Sequence, residues 1–118
     1  MLTSIGASPY PDGQTAPCWV EITHDGKYLF AVNTASANLS RYLINADGSL
    51  TLLGTTTFTN GAGAVDARLS PDGSTLSVTG GRSHLVSTFS VNGGNLTELP
   101  SSPVALPPAG SPTGLVVL

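Results

Sequence analysis

The chain of 118 residues carries the same pattern twice, and this repetition constrains its fold more than any other feature. The stretch "EITHDGKYLFAVN" begins at Glu21 and "RLSPDGSTLSVTG" begins at Arg68, so the offset is 68 − 21 = 47 residues. In each copy a short apolar run leads into an Asp-Gly turn and then into a second, alternating run. Because alternation with a period of two is typical of strands, each copy is predicted to be antiparallel β-sheet.

Each repeat is predicted to contain four short strands, separated by Gly- and Asn-containing turns such as "HDGK", "PDGS", "NADGS" and "NGGN". Four antiparallel strands in a repeat of about 40 to 50 residues are typical of a propeller blade. The predicted fold is all-β, a partial β-propeller of two consecutive four-stranded blades with flanking strands of neighbouring blades. The predicted strands are Cys18–Thr23, Tyr28–Asn33, Asn38–Asn45, Leu50–Phe58, Val65–Ser70, Thr75–Gly80, His84–Val91 and Leu96–Leu99.

The ends of the chain are interpreted as parts of adjacent blades. "MLTSIG" is similar to "SLTLLG", and "SPTGLVV" is similar to "APCWVEI". Residues 1–15 are therefore predicted to end a preceding blade, 16–59 and 60–109 to form the two blades, and 110–118 to begin a closing blade. Two blades leave both outer sheet faces without a neighbour, and repeat proteins usually need about three units or more. We expect either self-association or missing blades.

Composition excludes several classes of function. Only 9% of residues are charged, the net charge is −3, and no basic cluster exists, so nucleic acid is not an expected partner. No apolar run approaches the roughly 18 residues of a membrane span, and the N-terminus does not resemble a signal peptide. A cytoplasmic location is therefore the simplest expectation for the sequence as given. Cys18, the single cysteine, excludes an intrachain disulfide and is expected to be a small buried hydrophobe.

Motifs for nucleotide cofactors and metals are not found. There is no Walker loop and no H-E-x-x-H sequence. "NGAGAVD" (Asn60–Asp66) is rich in small residues but lacks the glycine spacing and the following helix of a dinucleotide site, so it is predicted to be a loop. We therefore expect neither a cofactor nor a metal.

Three longer stretches carry a resemblance to a known family. They are "PYPDGQTAPCWVEITHDGKYLFAVN", "SRYLINADGSLTLLG" and "RLSPDGSTLSV". Together they resemble the lactonase-type seven-bladed propellers, which include bacterial 6-phosphogluconolactonases and fungal carboxymuconate-lactonizing enzymes. The resemblance implies hydrolysis or formation of a lactone, with a small lactone or sugar acid as ligand and no obligatory cofactor. Seven blades of this size need more than about 300 residues, so the chain is expected to supply about a third of such a propeller. The ending "PPAGSPTGLVVL" resembles the C-terminal end of the family, which implies that this is the final third.

Arg82 and His84 are weak candidates for a site at one rim of the propeller. They lie in "GGRSH", between the second and third strands of the second repeat. Such loops share a rim with the starts of the innermost strands, where propellers bind ligands. Arg can hold a carboxylate or phosphate, and His can act as a general base towards water. The alternative is an exposed polar loop without a function, and the resemblance assigns neither residue a catalytic role.

Two further pairs occupy equivalent positions on the innermost strands. Glu21 and Arg68 are predicted to form an ion pair between blades on the wall of the channel, either as a structural contact or as a contact to substrate. Trp19 and Asp66 share the position at the rim end of the strand, where Trp19 can serve blade packing or stack on a sugar. Three functions remain open at this point: a lactonase, a non-catalytic propeller that binds a ligand or a protein, and an inert fragment.

Overall fold

The computed structural model describes residues 1–59 and 63–118. The prediction of a loop at Asn60–Asp66 therefore lies partly outside the described residues, because it includes 60–62. Within the described part, Ala64 already belongs to a strand, so the loop is shorter than predicted. No helix among the described residues is long and apolar enough to cross a membrane.

Nine strands among the described residues form two antiparallel sheets. Blade 1 has the strand order β1-β2-β3-β4, and blade 2 has the order β5-β6-β7-β8 with β9 paired to β7. The chain thus adopts the predicted partial propeller, with the eight predicted blade strands present and their ends shifted by at most one residue. The strands are β1 Pro17–Ile22, β2 Tyr28–Asn33, β3 Asn38–Ile44, β4 Leu50–Thr57, β5 Ala64–Leu69, β6 Thr75–Gly80, β7 Leu85–Asn92, β8 Asn95–Glu98 and β9 Val104–Ala105.

The two blades repeat each other in their turns as well as in their strands. The bond from Thr34 N to Ala16 O in blade 1 has its equivalent in the bond from Gly81 N to Gly63 O in blade 2. The offset between both donors and both acceptors is again 81 − 34 = 63 − 16 = 47 residues. The duplicated sequence therefore encodes one complete sheet with its loops.

The Asp-Gly turns are stabilised by their own side chains. Asp72 Oδ1 accepts hydrogen bonds from Ser70 Oγ at 2.6 Å and from Ser74 N at 3.0 Å. Together with the Ser74 hydroxyl, these bonds lower the pKa of Asp72 to about 2, so the turn stays intact with an ionised carboxylate. Asp25 occupies the same place in blade 1, where Thr23 Oγ1 and Lys27 N are the donors.

The hydrophobic core lies between the two blades. Blade 1 presents a face that includes Phe30, Val32 and Leu39, and blade 2 covers it with the face that carries Leu76 and Phe89. Each of these five side chains is at most 1% exposed. Phe58 contacts Phe89 edge-on, with ring centroids 5.7 Å apart. Each blade buries one of its faces only by contact with the other blade, so a single blade has no hydrophobic core of its own.

The outer faces of the two blades differ in chemistry. On blade 1, Val20 and Ile22 are 55% and 48% exposed, although residues 10–14 lie across part of the same face. On blade 2 the outer face carries hydroxyl groups, and Ser77 Oγ lies 3.3 Å from Thr88 Oγ1 across β6 and β7. Hydroxyl groups suit a sheet face in contact with water, as in the polar terminal repeats of solenoids. Of the two outer sheet faces, as far as the described residues show, the one on blade 1 is the more apolar.

The flanking segments differ from the prediction. Residues 1–16 contain no strand, and residues 110–118 do not form the predicted first strand of a closing blade. In both blades the first strand pairs with the second strand of its own sheet, whereas residues 110–118 pair with no strand among the described residues. The stretch "PSSPVALPPAGSP" instead contributes β9, whose Val104 and Ala105 pair with Val86 and Leu85 at the outer edge of blade 2.

Candidate functional site

The candidate residues fall into two groups in the structure. The first strands of the blades, β1 and β5, lie side by side and bring Glu21, Asp66 and Arg68 together. The second group is at one rim, where the β6–β7 loop carries Arg82 and His84. We refer to the first group as the inner-edge cluster and describe it first.

The predicted ion pair between neighbouring inner strands is present. Arg68 Nη1 donates a hydrogen bond to Glu21 Oε1 at 2.7 Å. Glu21 Oε2 also accepts the backbone N–H of Leu69 at 3.3 Å, so both oxygens of this carboxylate are occupied. The pair joins the two blades, and it leaves the Arg68 side chain 43% exposed while Glu21 is 17% exposed. The cation is therefore the accessible member of the pair.

The charge of Arg68 is fixed by its surroundings. The hydrogen bond with Glu21 and the nearby carboxylate of Asp66, whose Oδ1 lies 4.0 Å from Arg68 Nη1, raise the pKa of the guanidinium. Since an arginine is already charged at every ordinary pH, Arg68 can contribute a permanent positive charge but cannot exchange protons. It can bind an anion or stabilise negative charge, and it cannot act as a general base.

The carboxylate of Asp66 accepts hydrogen bonds from backbone N–H groups, and the residue is buried, with 3% of its surface exposed. Its Oδ1 accepts the N–H of Ala67 at 2.8 Å, and its Oδ2 accepts the N–H of Leu115 at 2.7 Å. Asp66 thus holds the C-terminal segment against the inner strand of blade 2. Nothing in the repeat pattern predicted this contact, because the equivalent residue in blade 1 is Trp19, which has no carboxylate.

Trp19 is partly buried and packs against the core between the blades. This placement corresponds to the alternative in which Trp19 serves blade packing. Cys18, by contrast, is exposed and not buried as expected. The exposed alternate residues of β1 are Cys18, Val20 and Ile22, so the exposure of Cys18 follows the alternation of its own strand.

At the rim, a cavity of about 380 Å³ lies between the two blades. The cavity is lined by the β2–β3 loop of blade 1, by residues of blade 2 and by the C-terminal segment. Arg82 lines this cavity, and His84 does not. The lining residues are Thr34, Ala35, Gly63, Val65, Gly81, Arg82, Ser111, Pro112 and Thr113.

The structure explains His84 as a turn residue. Its φ of 54° matches the φ of 55° at Ala37, the equivalent position 47 residues earlier. Both residues donate their backbone N–H to the residue four positions before them, at 2.9 Å in each case. His84 Nδ1 is buried and makes no hydrogen bond to the described residues, and the backbone oxygen accepts Leu106 N. Of the two rim candidates, Arg82 therefore lines the cavity, whereas His84 serves the turn.

No group of three or more metal-binding side chains occurs among residues 1–59 and 63–118.

A family model described as "Lactonase, 7-bladed beta-propeller" matches residues 3–112. The chain belongs to this lactonase propeller family. Since the match includes both blades and the inner-edge cluster, the family assignment applies to nearly the whole sequence. No curated protein sequence is similar enough to count as a relative.

Solved structures support the same fold. A crystal structure from Bacteroides uniformis that carries the provisional name 6-phosphogluconolactonase is 25% identical, with a TM-score of 0.68 over 80% of this chain. The periplasmic gluconolactonase of Pseudomonas aeruginosa is 22% identical, with a TM-score of 0.64 over 73% of this chain. Hydrazine synthase of Kuenenia stuttgartiensis matches at 16% identity with a TM-score of 0.67 over 95% of this chain. The last two show the fold alone.

The chain spans 29% of the Bacteroides structure, 25% of the Pseudomonas one and 29% of the hydrazine synthase. It corresponds to part of a propeller.

Proposed function

We propose that this chain is the part of a lactonase-like propeller that supplies cationic contacts to a sugar lactone, which the complete ring hydrolyses. The observation that carries the proposal is the placement of Arg68, which is charged, 43% exposed and located on the inner strand of blade 2. The inner strands line the central channel of a propeller. The family membership and the names of the similar structures favour a sugar lactone, such as a phosphorylated gluconolactone, as substrate.

Lactone hydrolysis requires three events: water attacks the ring carbonyl carbon, the acyl C–O bond breaks, and the departing alkoxide takes a proton. Negative charge develops on the carbonyl oxygen during the attack, and a fixed positive charge near that oxygen lowers the barrier. Arg68 is suited to this role or to holding the carboxylate or phosphate of the substrate. Glu21 serves as a positioning residue, because its carboxylate orients the guanidinium at 2.7 Å.

The general base is assigned to another part of the ring. Asp66 is 3% exposed and Glu21 is in a short ion pair with Arg68, so neither carboxylate is well placed to take a proton from water. The chain therefore contributes charge stabilisation and binding, and proton transfer belongs to residues of other blades.

The test is hydrolysis of glucono-δ-lactone by a complete propeller ring that contains this chain, measured as proton release above the spontaneous rate. Removal of one charge-stabilising donor typically lowers kcat by about 100-fold. We expect Arg68→Gln to lower kcat/KM by roughly that factor, Arg68→Lys to restore part of it, and Lys27→Gln, a matched loss of charge in an exposed turn, to change nothing. Hydrolysis that is unaffected by Arg68→Gln, with unfolding also unchanged, would contradict the proposal.

A second function is favoured by one observation. Because both inner-edge carboxylates are engaged, the chain is also suited to binding an anionic ligand without hydrolysing it. The Kuenenia match shows that the same fold accompanies other chemistry, and a fold does not determine a function. Binding of gluconate with no turnover of the lactone would favour this function over the first.

A further inference from the structure

We infer that the cavity at the rim between the two blades is a separate binding site for a small sugar-like anion, with Arg82 as the group that binds the carboxylate or phosphate. The site is distinct from the inner-edge cluster, since none of its lining residues is Glu21, Asp66 or Arg68. It goes beyond the proposed function because it requires binding and no hydrolysis.

The cavity has the size and chemistry of a small-molecule site. Its volume of about 380 Å³ lies within the usual range of roughly 300 to 1,000 Å³ for ligand pockets. Val65 and Pro112 give apolar surface, and Thr34, Ser111 and Thr113 give hydroxyl groups around it. Apolar surface suits the carbon skeleton of a sugar acid, and the hydroxyl groups suit its hydroxyls.

Arg82 is held in place through its aliphatic stem. A Cβ at Gly63 would lie 2.7 Å from Arg82 Cγ and 2.9 Å from Arg82 Cβ, so the stem rests where Gly63 has no side chain. The guanidinium makes no hydrogen bond or ion pair with any residue of 1–59 or 63–118. Because packing already restrains its aliphatic stem, such an arginine loses less side-chain conformational entropy on binding an oxyanion than a fully mobile arginine does. Its guanidinium can bind a carboxylate or phosphate through two parallel hydrogen bonds.

The C-terminal segment completes the site, and two hydrogen bonds hold it there. Leu106 N donates to His84 O at 2.8 Å, and Leu115 N donates to Asp66 Oδ2 at 2.7 Å. Ser111, Pro112 and Thr113 lie between these two anchor points and line the cavity. At Gly81 an added Cβ would lie 3.1 Å from Pro112 O, so this segment approaches the β6–β7 loop closely. The buried Asp66 thus positions the segment that completes the cavity, although Asp66 itself does not line it.

The experiment is titration of the purified 118-residue chain with sodium gluconate and, separately, with inorganic phosphate at low salt, followed by amide NMR shifts and calorimetry. We expect saturable shifts at Thr34, Gly81 and Thr113. Arg82→Gln is expected to raise the Kd by tenfold or more, while Lys27→Gln, the matched loss of one exposed charge, keeps it within twofold. Asp66→Ala is expected to raise the Kd and to shift the amide of Leu115.

The variants and the shift pattern distinguish binding at the rim from diffuse charge attraction and from binding at the inner edge. If Arg82→Gln and Lys27→Gln weakened binding equally, the ligand would be attracted by charge in general, and the inference of a rim site would be overturned. Shifts around Arg68 instead of Thr34 and Gly81 would also overturn it and would place the ligand at the inner edge. Absence of lactone hydrolysis by the complete ring, with binding at the rim intact, would contradict the proposed function and leave this inference standing.

Discussion

Replacing Phe89 by alanine is expected to destabilise the whole chain by about 3 to 5 kcal/mol, the usual cost of deleting a buried aromatic ring. Phe89 is fully buried at the centre of the interface between the blades, and its ring meets Phe58 edge-on at 86°. Each blade buries one face only by contact with the other blade. The void that the substitution leaves between them therefore destabilises both sheets together. Since small domains are stable by only about 5 to 15 kcal/mol, we expect the melting temperature to fall by at least about 10 °C.

Thermal and urea unfolding, followed by circular dichroism, measure this effect. Val104→Ala is the matched control, because Val104 also lies in a strand of blade 2 but is 58% exposed. The control is expected to change the free energy of unfolding by less than about 0.5 kcal/mol. A cost below about 1 kcal/mol for Phe89→Ala would mean that the two faces do not form a common core.

The second large effect concerns association. We expect the purified chain to form a dimer through the outer face of blade 1, because this face exposes Val20 and Ile22 while the outer face of blade 2 carries hydroxyl groups. Since each copy carries the same apolar face, a second copy can cover it with its own equivalent face. A contact of this kind is isologous and closes as a dimer. A head-to-tail array would require two complementary faces.

Sedimentation at several protein concentrations tests the association. The double variant Val20→Thr and Ile22→Thr keeps β-branched residues in β1 and removes apolar area, so the dimer is expected to weaken by more than roughly tenfold. Ser90→Ala, on the other outer face, is the matched control and is expected to leave the dimer unchanged. A wild-type chain that is monomeric and unfolds cooperatively at all concentrations would contradict the expectation.

The sequence predicted most of the fold because strand alternation and Asp-Gly turns are local signals. The repeat offset also predicted a long-range contact, the ion pair of Glu21 with Arg68, since equivalent positions on adjacent blades lie next to each other. The C-terminal end of the chain differs from the prediction for a simple reason. A strand at 110–118 depends on a partner strand, and no local pattern reports whether that partner is present.

The rim site was predictable only in part. "GGRSH" indicated the correct loop, and the structure brings Arg82 to the cavity while His84 keeps the backbone conformation of a turn. The role of Asp66 in holding Leu115 depends on where an irregular segment returns to the sheet. Such a contact has no period and no motif, so the sequence offers no signal for it.

The central claim is that two tandem antiparallel sheets pack face to face, and NOE spectroscopy of the purified chain tests it most directly. The structure predicts contacts between the rings of Phe58 and Phe89, which join the blades, together with cross-strand contacts Val20–Ala31 and Ala67–Val78 within them. Observation of all three would support the two-blade arrangement. Cross-strand contacts that pair a strand of one repeat with a strand of the other in a single sheet would contradict it.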